Sequence, residues 1–138
     1  MTDRAALDSA DEAFFDALNQ MFTGSAEAME ALWSHADDVI YLGPVPGMFH
    51  TGWKVTDQDW MAQARAGLGG TIRVIQRHVV MGRDLAVVHH VAEASGQGPE
   101  AEPVQMRGTN VYRLEEGAWK MIAHHSDPLP YLVTAPSG

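Results

Sequence analysis

Seven histidines stand in a chain with nine lysines and arginines, and four of them form two adjacent pairs, His89-His90 and His124-His125. Imidazole changes charge closer to neutrality than any other unperturbed side chain, so it can serve as general base, general acid or metal ligand. Neighbours on a strand point to opposite faces, so neither pair can chelate one ion or act as a coupled acid and base. Alternation in the flanking strands selects His89 and His125 as the inward members, with His78 on the same face as His89. Asp127 shares the parity of His125 and could orient or charge-stabilise its ring, which makes His125 and Asp127 the candidate catalytic pair. The competing reading is that Asp127 only ends a strand broken by Pro128. Ser126 lies between them, but adjacent side chains do not build a Ser-His-Asp triad, and the sequence has no nucleophile elbow.

Convergence of His78, His89 and His125 would suit zinc or iron, but no recognised ligand spacing accompanies them, and no metal or other cofactor is expected. A neutral histidine bonded to a ligand carbonyl or hydroxyl competes with a satisfied histidine under the helices. Tyr41, ending the first strand, and Tyr112, central in the third of the four long strands nearer the C-terminus, have hydroxyls that can donate to a ligand oxygen in an apolar cavity. Asn110 lies on an apolar strand face, where an unpartnered amide would cost about 2–7 kcal/mol, so it needs partners from a pocket or from the core. Trp53 follows the loop Met48-Phe49-His50-Thr51-Gly52 and, with Phe49 and His50, reads as a lid or as a loop folded on the body. Trp33 and Trp60 read as helix core, and Trp119 closes one end of the sheet beside the expected pocket.

The elements that must carry these residues follow from periodicity. Ala6, Ala10, Phe14, Ala17, Leu18 and Met21 recur at helical spacing over 5–21. Ser25 can cap a second helix bearing Ala28, Met29, Leu32 and Trp33, and Thr56 or Asp57 a third, with Trp60, Met61, Ala64 and Leu68, ending at Gly69-Gly70. Val39-Ile40-Tyr41-Leu42 reads as a strand stopped by Gly43-Pro44-Val45-Pro46-Gly47, with a loop to follow. Four strands then run over Thr71–Met81, Asp84–Ser95, Val104–Glu115 and Ala118–Ser126, with turns at Gly82-Arg83 and Glu116-Gly117 and a longer connection at Gln97-Gly98-Pro99. The order is ααβα and then a meander: an α+β fold, with residues 1–132 as one domain and 133–138 as an extended or disordered tail.

Pairing Met81 with Asp84 groups Ile72, Val74, Gln76, His78 and Val80 with Leu85, Val87, His89 and Val91. That set is the more apolar and is expected to meet the helices. Arg73, Arg77 and His90, with Ile75, Val79, Ala86 and Val88, then form an outer face suited to a subunit interface. The inward sets of the last two strands are Val104, Met106, Gly108, Asn110, Tyr112 and Leu114, and Trp119, Met121, Ala123 and His125. One bulge would invert part of a strand.

Composition excludes several classes. The net charge of −9 repels polyphosphate and anionic membranes, so nucleic acid and membrane partners are not expected. No cysteine is present, which leaves no disulfide framework or thiolate chemistry and fits a reducing cytoplasm. No run reaches the ~20 apolar residues of a membrane span, and the N-terminus does not read as a secretory signal.

Val79-Val80-Met81-Gly82-Arg83-Asp84-Leu85-Ala86-Val87-Val88, Gly96-Gln97-Gly98, Arg107-Gly108-Thr109-Asn110-Val111-Tyr112-Arg113 and Gly117-Ala118-Trp119-Lys120-Met121-Ile122-Ala123-His124-His125-Ser126, in that order and spacing, carry a resemblance to a known family. The chain resembles the nuclear transport factor 2-like superfamily, in particular its SnoaL-like group, which includes the association domain of calcium/calmodulin-dependent protein kinase II. The resemblance implies a conical fold, three helices on a curved and mostly antiparallel sheet, a cavity between them, and homodimers that pair the sheets. Isomerases, cyclases, dehydratases and purely structural domains share this scaffold. Ketosteroid isomerase-like members hold a carboxylate base just before the proline after the first strand, and here Gly43 occupies that place, which counts against that chemistry. Two expectations follow. One is a cavity for a small, largely apolar carbonyl or polyketide-like compound, with histidine-assisted proton transfer, and the other is a non-catalytic association module.

Overall fold

The helical stripe expected at the start of the chain holds at Phe14, Ala17, Leu18 and Met21, while Leu7 and Asp11 are buried there and the expected Ala6 and Ala10 only half-buried. In α1 (Asp3–Phe22) the buried positions are Leu7, Asp11, Phe14, Ala17, Leu18 and Met21, so a carboxylate lies within an otherwise apolar seam. The computed structural model describes residues 3–45, 47–96 and 102–128. The expected tail at 133–138 and the Gln97-Gly98-Pro99 connection lie outside the described residues. Of the described residues, no helix is long and apolar enough to cross a membrane.

Two short helices complete the helical layer. In α2 (Glu27–Leu32) no side chain caps the first turn, so the expected Ser25 cap does not form. Trp33 then turns to extended backbone and bridges to Met121, and the Ser34 N–H donates to the Met121 carbonyl at 2.9 Å. The third helix, α3 (Trp53–Ala66), begins one turn earlier than the expected cap at Thr56 or Asp57. Gly52, with φ 87°, turns the chain into it, and the Thr56 N–H donates to the Gly52 carbonyl, which makes Thr56 a buried residue of the first turn. Gly67 ends α3 in the left-handed conformation that glycine adopts without a Cβ penalty.

The six strands are β1 (Ile40–Leu42), β2 (Phe49–Thr51), β3 (Thr71–Met81), β4 (Leu85–Ser95), β5 (Val104–Glu115) and β6 (Ala118–Pro128), in spatial order β2-β1-β6-β5-β4-β3. All neighbours are antiparallel except β1 and β6, so the fold is α+β with a mixed, mostly antiparallel sheet. At three residues, β2 is too short to show alternation, and the sequence reads it as loop.

The face assignment of β3 and β4 is reversed. Val80 pairs with Val87, His78 with His89 and Gln76 with Val91, so the expected set does share a face, but it is the outer one. Val80, Leu85, His78 and His89 are exposed, while Ala86, Val88, His90, Ala92 and Ala94 are buried beneath the helices. Small side chains leave room for α1 and for a cavity, whereas hydrophobicity alone favours the bulkier outer set. Two bulges refine the register. One at Ile75 returns Ile72 and Val74 to the inner side, and an extra residue at Ile122 in β6 reverses parity, so that His124 and Ser126 face in and His125 and Asp127 face out. In β5 the expected inward set is correct at Asn110 and Tyr112.

Asn19 of α1 substitutes for a strand at the start of β3. Its amide donates to the Ile72 carbonyl at 3.1 Å and accepts from the Ile72 N–H at 2.8 Å. Asn19→Ala strands both backbone groups. It is expected to cost about 2 kcal/mol, within the ~1–3 kcal/mol penalty for an unsatisfied buried group, as read from urea unfolding.

Candidate functional site

Two neighbouring rows of the inner face build the site. Arg77, His90, Gly108 and Ser126 stand across β3, β4, β5 and β6, and Val88, Asn110, His124 and Tyr41 across β4, β5, β6 and β1. Asp11 descends on them from α1. Its Oδ2 accepts from His90 Nε2 at 2.7 Å, and its Oδ1 from the Tyr112 hydroxyl at 2.7 Å and from the Asn110 amide at 3.2 Å. Arg77 Nε lies 3.3 Å from Oδ2, and the same guanidinium binds Asp8. Asn110 in turn accepts from His124 Nδ1 at 2.5 Å. The result is a buried chain, His90–Asp11–Asn110–His124, with Tyr112 as a third donor to the carboxylate.

These contacts set the protonation states. Burial pushes Asp11 up, but the His90 hydrogen bond and charge, with Tyr112 and Asn110, outweigh it and hold the carboxyl below its usual range. Burial, then the neighbouring His90 and His125, push His124 down to about 3, so it is neutral at physiological pH. Burial and the Asp11 charge keep the Tyr112 hydroxyl protonated, and burial does the same for Tyr41. A carboxylate can only accept, so His90 donates from Nε2, and in the neutral form of the ring Nδ1 is the basic nitrogen.

A cavity of about 370 Å³ opens beside this chain. Phe15, Leu18, Met21, Phe22, Ile72 and Met106 supply apolar wall, while Tyr41, Gln63, His90, His124 and Ser126 supply the polar groups. The Tyr41 hydroxyl accepts from Gln63 at 2.8 Å, so its own proton is not committed to that bond. Stacking on Trp60, with ring centroids 4.3 Å apart, fixes the phenol plane. At Gly43 a Cβ would meet the Met48 sulfur at 2.7 Å and the Tyr41 hydroxyl at 3.2 Å. Met48 thus fills the space into which a side chain at 43 would project, and any base must come from elsewhere in the cavity.

The sequence-derived candidates divide. Tyr41 lines the cavity, and Asn110 and Tyr112 belong to the buried chain behind it. His125 and Asp127 do pair, at 2.6 Å, but on the exposed outer face, because the Ile122 bulge turns them away. They border a separate groove of about 320 Å³ with Leu42, Pro44 and Phe49. His78 and His89 stack across the outer face, and His89 bonds Thr109, so these rings do not converge with His125 on an inward metal site. Among the described residues no group of three or more histidines or acids could hold a metal ion. Trp53 begins α3 and stacks on His35 at 4.3 Å, and Trp119 is core; neither lines the cavity, nor do Phe49 and His50. The expected lid is therefore not formed by these residues. Sequence reasoning missed Asp11, His90, His124 and Gln63. The signal for Asp11 was its place in the stripe Leu7-Asp11-Phe14-Leu18-Met21, where an apolar residue is expected.

Helices on one face of a mixed six-stranded sheet give the chain the fold class of solved structures described as NTF2-like and as having a cystatin-like fold. Within that class the chain belongs to the SnoaL-like domain family, whose model matches residues 11–130. Comparison with curated proteins returns no match. Among solved structures, a protein from Thiobacillus denitrificans provisionally assigned as a calcium/calmodulin-dependent protein kinase type II association domain is 26% identical, with a TM-score of 0.77 over 88% of this chain and 94% of that one. A provisionally assigned dehydratase of the NTF2-like family from Streptomyces avermitilis is 23% identical, with a TM-score of 0.76 over 92% and 96%. A provisionally assigned ketosteroid isomerase from Parabacteroides distasonis is 19% identical, with a TM-score of 0.69 over 91% and 87%. The last two likenesses establish shared fold alone.

The buried histidine ties stability to pH. His124 is depressed from the ordinary 6.5 to about 3, so the unfolded chain binds one more proton between those values and stability falls as pH falls through that window. The loss is up to about 1.4 kcal/mol per pH unit. Asp11 acts in the same direction, but only below its ordinary 3.8. Urea midpoints measured from neutral pH downward are expected to drop already above the carboxylate range, and His124→Gln is expected to flatten that upper part of the slope.

Proposed function

We propose that the cavity binds a small, largely apolar carbonyl compound and that His90, backed by Asp11, moves a proton at the carbon beside the carbonyl. The observation that carries this reading is the 2.7 Å bond from His90 Nε2 to a buried carboxylate, with the ring in the cavity wall. The lone pair on Nδ1 takes the proton, the C–H electron pair moves into an enolate, and the Tyr41 hydroxyl donates to the developing oxygen anion. The imidazolium then rests against Asp11 until it returns its proton to carbon or oxygen. His124 has no such partner, since its bond runs to an amide oxygen and its burial opposes charge. The two imidazoles thus divide into a proton carrier and a neutral contact. Solvent-deuterium exchange into small enolisable ketones, followed by NMR, tests the reading. The wild-type protein is expected to accelerate exchange, His90→Gln to lose at least about a hundredfold, the low end of general-base contributions, and Tyr41→Phe to lose less. Equal exchange in wild type and His90→Gln would contradict it.

A second reading, assembly into a homodimer through the outer sheet face, is favoured by one feature. Val80, Val87, Val111, Ala123 and Ile40 stand directly opposite one another in a single row across five strands of that face. An aliphatic band of this kind is suited to burial against a second copy. It is compatible with the cavity, which opens on the other side of the sheet. Light scattering at micromolar concentration is expected to give a dimer, with Val87→Glu giving monomers that retain the fold; a monomeric wild type would contradict the reading.

A further inference from the structure

We propose that His124, locked by Asn110 with its Nε2 lone pair bare, is the specificity-determining residue of the cavity, and that the substrate it selects is a neutral carbonyl compound bearing a separate hydroxyl donor. This inference rests on the cavity being the site where His90 moves a proton, and it adds what the substrate must present to the rest of the polar wall.

The argument runs outward from Asp11. An ionised carboxylate only accepts hydrogen bonds, so the Asn110 atom facing Asp11 Oδ1 at 3.2 Å is its NH₂ group. The amide oxygen is then the atom that meets His124 Nδ1 at 2.5 Å, and an amide oxygen also only accepts. The His124 proton is thereby fixed on Nδ1, and Nε2 is the unprotonated nitrogen. A neutral imidazole in solution can exchange tautomers, but here the amide orientation, itself set by Asp11, forbids it. Asn110 is a positioning residue: buried at 0% exposure and absent from the cavity wall, it determines which kind of group the wall offers.

His124 is 7% exposed, its ring forms part of the wall, and an acceptor left bare there costs free energy unless a ligand or water donates to it. Gly108 stands between His90 and Ser126, where a Cβ would come within 3.2 Å of the His125 carbonyl oxygen, with Ser126 Cβ at 3.6 Å and His124 Cε1 at 4.0 Å in ordinary contact, so the close backbone of β6 favours a residue without a side chain beside the His124 ring. Charge narrows the ligand further. Among the described residues the wall includes no lysine or arginine, and Arg77 is engaged by Asp8 and Asp11, so a carboxylate or phosphate would meet no counter-charge from them and would enter with Asp11 behind the histidines. The complement is a neutral molecule with a carbonyl oxygen for Tyr41, an acidic C–H for His90 and a hydroxyl that donates to His124 Nε2.

Hydroxyacetophenone isomers, their methoxy counterparts and unsubstituted acetophenone supply matched probes. Calorimetry is expected to give at least one hydroxy isomer bound about tenfold more tightly than its methyl ether, the equivalent of one hydrogen bond of ~1.4 kcal/mol. That ratio is expected to fall to about one in His124→Phe and in Asn110→Leu. Nitrogen-15 NMR of the imidazoles, which needs no ligand, reads the lock directly. Wild-type His124 is expected as the Nδ1–H tautomer and His90 as Nε2–H, with His124 reverting toward Nε2–H in Asn110→Leu. An Nε2–H tautomer at His124 in the wild-type protein, or methyl ethers bound as tightly as every hydroxy isomer, overturns the proposal even if Asn110→Leu fails to fold. The two readings fail separately. Deuterium exchange without a hydroxyl preference overturns this one alone, and a hydroxyl preference that His124→Phe removes, without exchange, supports it while sinking the proton-transfer step.

Discussion

The structure depends on one buried charge. Asp11 is 1% exposed at the seam between α1 and the sheet, where an unpaired carboxylate would be intolerable. Its oxygens are satisfied by His90, Tyr112 and Asn110, with Arg77 alongside, which fixes the rotation and height of α1 over three adjacent strands. A purely apolar seam could slide by a helical ridge at little cost. This one cannot, because the groups that meet the carboxylate come from three strands, Arg77 from β3, His90 from β4, and Asn110 and Tyr112 from β5. Removing any single donor leaves the charge partly unpaired.

The same charge organises the cavity. Through His90 it presents, in the neutral ring, one nitrogen as a base whose protonated form has a counter-ion, and through Asn110 it fixes the proton of His124, a ring that burial keeps neutral at physiological pH, on Nδ1. Two residues of one type thereby acquire different roles from their second contacts, not from the cavity itself. Gly43 and Met48 complete the contrast with a carboxylate-based isomerase, since the place before Pro44 is filled by a thioether and the polar groups lie on the sheet and on α3.

Much of the fold is legible in the sequence, and the reasons for the exceptions are physical. The long strands and the three helices announce themselves by period, and the SnoaL-like resemblance fits the observed order of elements. The inner and outer faces do not, because the usual cue fails when the outer face carries the larger aliphatic side chains and the inner face the small ones. Val80, Leu85 and Val87 read as core, whereas Ala86, Ala92 and His90 are the buried residues. The exchange of His124 for His125 has a separate cause: a single extra residue at Ile122, with no turn residue to mark it, shifts the parity of the rest of β6. Asn110, Tyr112 and Tyr41 were recognisable because polar groups on apolar strands need partners. Asp11 was recognisable only by asking why an acid interrupts the apolar stripe of a helix.

The central claim is that Asp11 and His90 act as one unit on a bound carbonyl compound, and a double-mutant cycle on the rate of solvent-deuterium exchange tests it most directly. With Asp11→Asn, His90→Gln and the double variant compared under conditions where all are folded, the account predicts strong non-additivity, the double variant being about as slow as His90→Gln alone. Independent, additive losses would contradict it, since they would mean that the carboxylate supports the fold but not the chemistry of the histidine it holds.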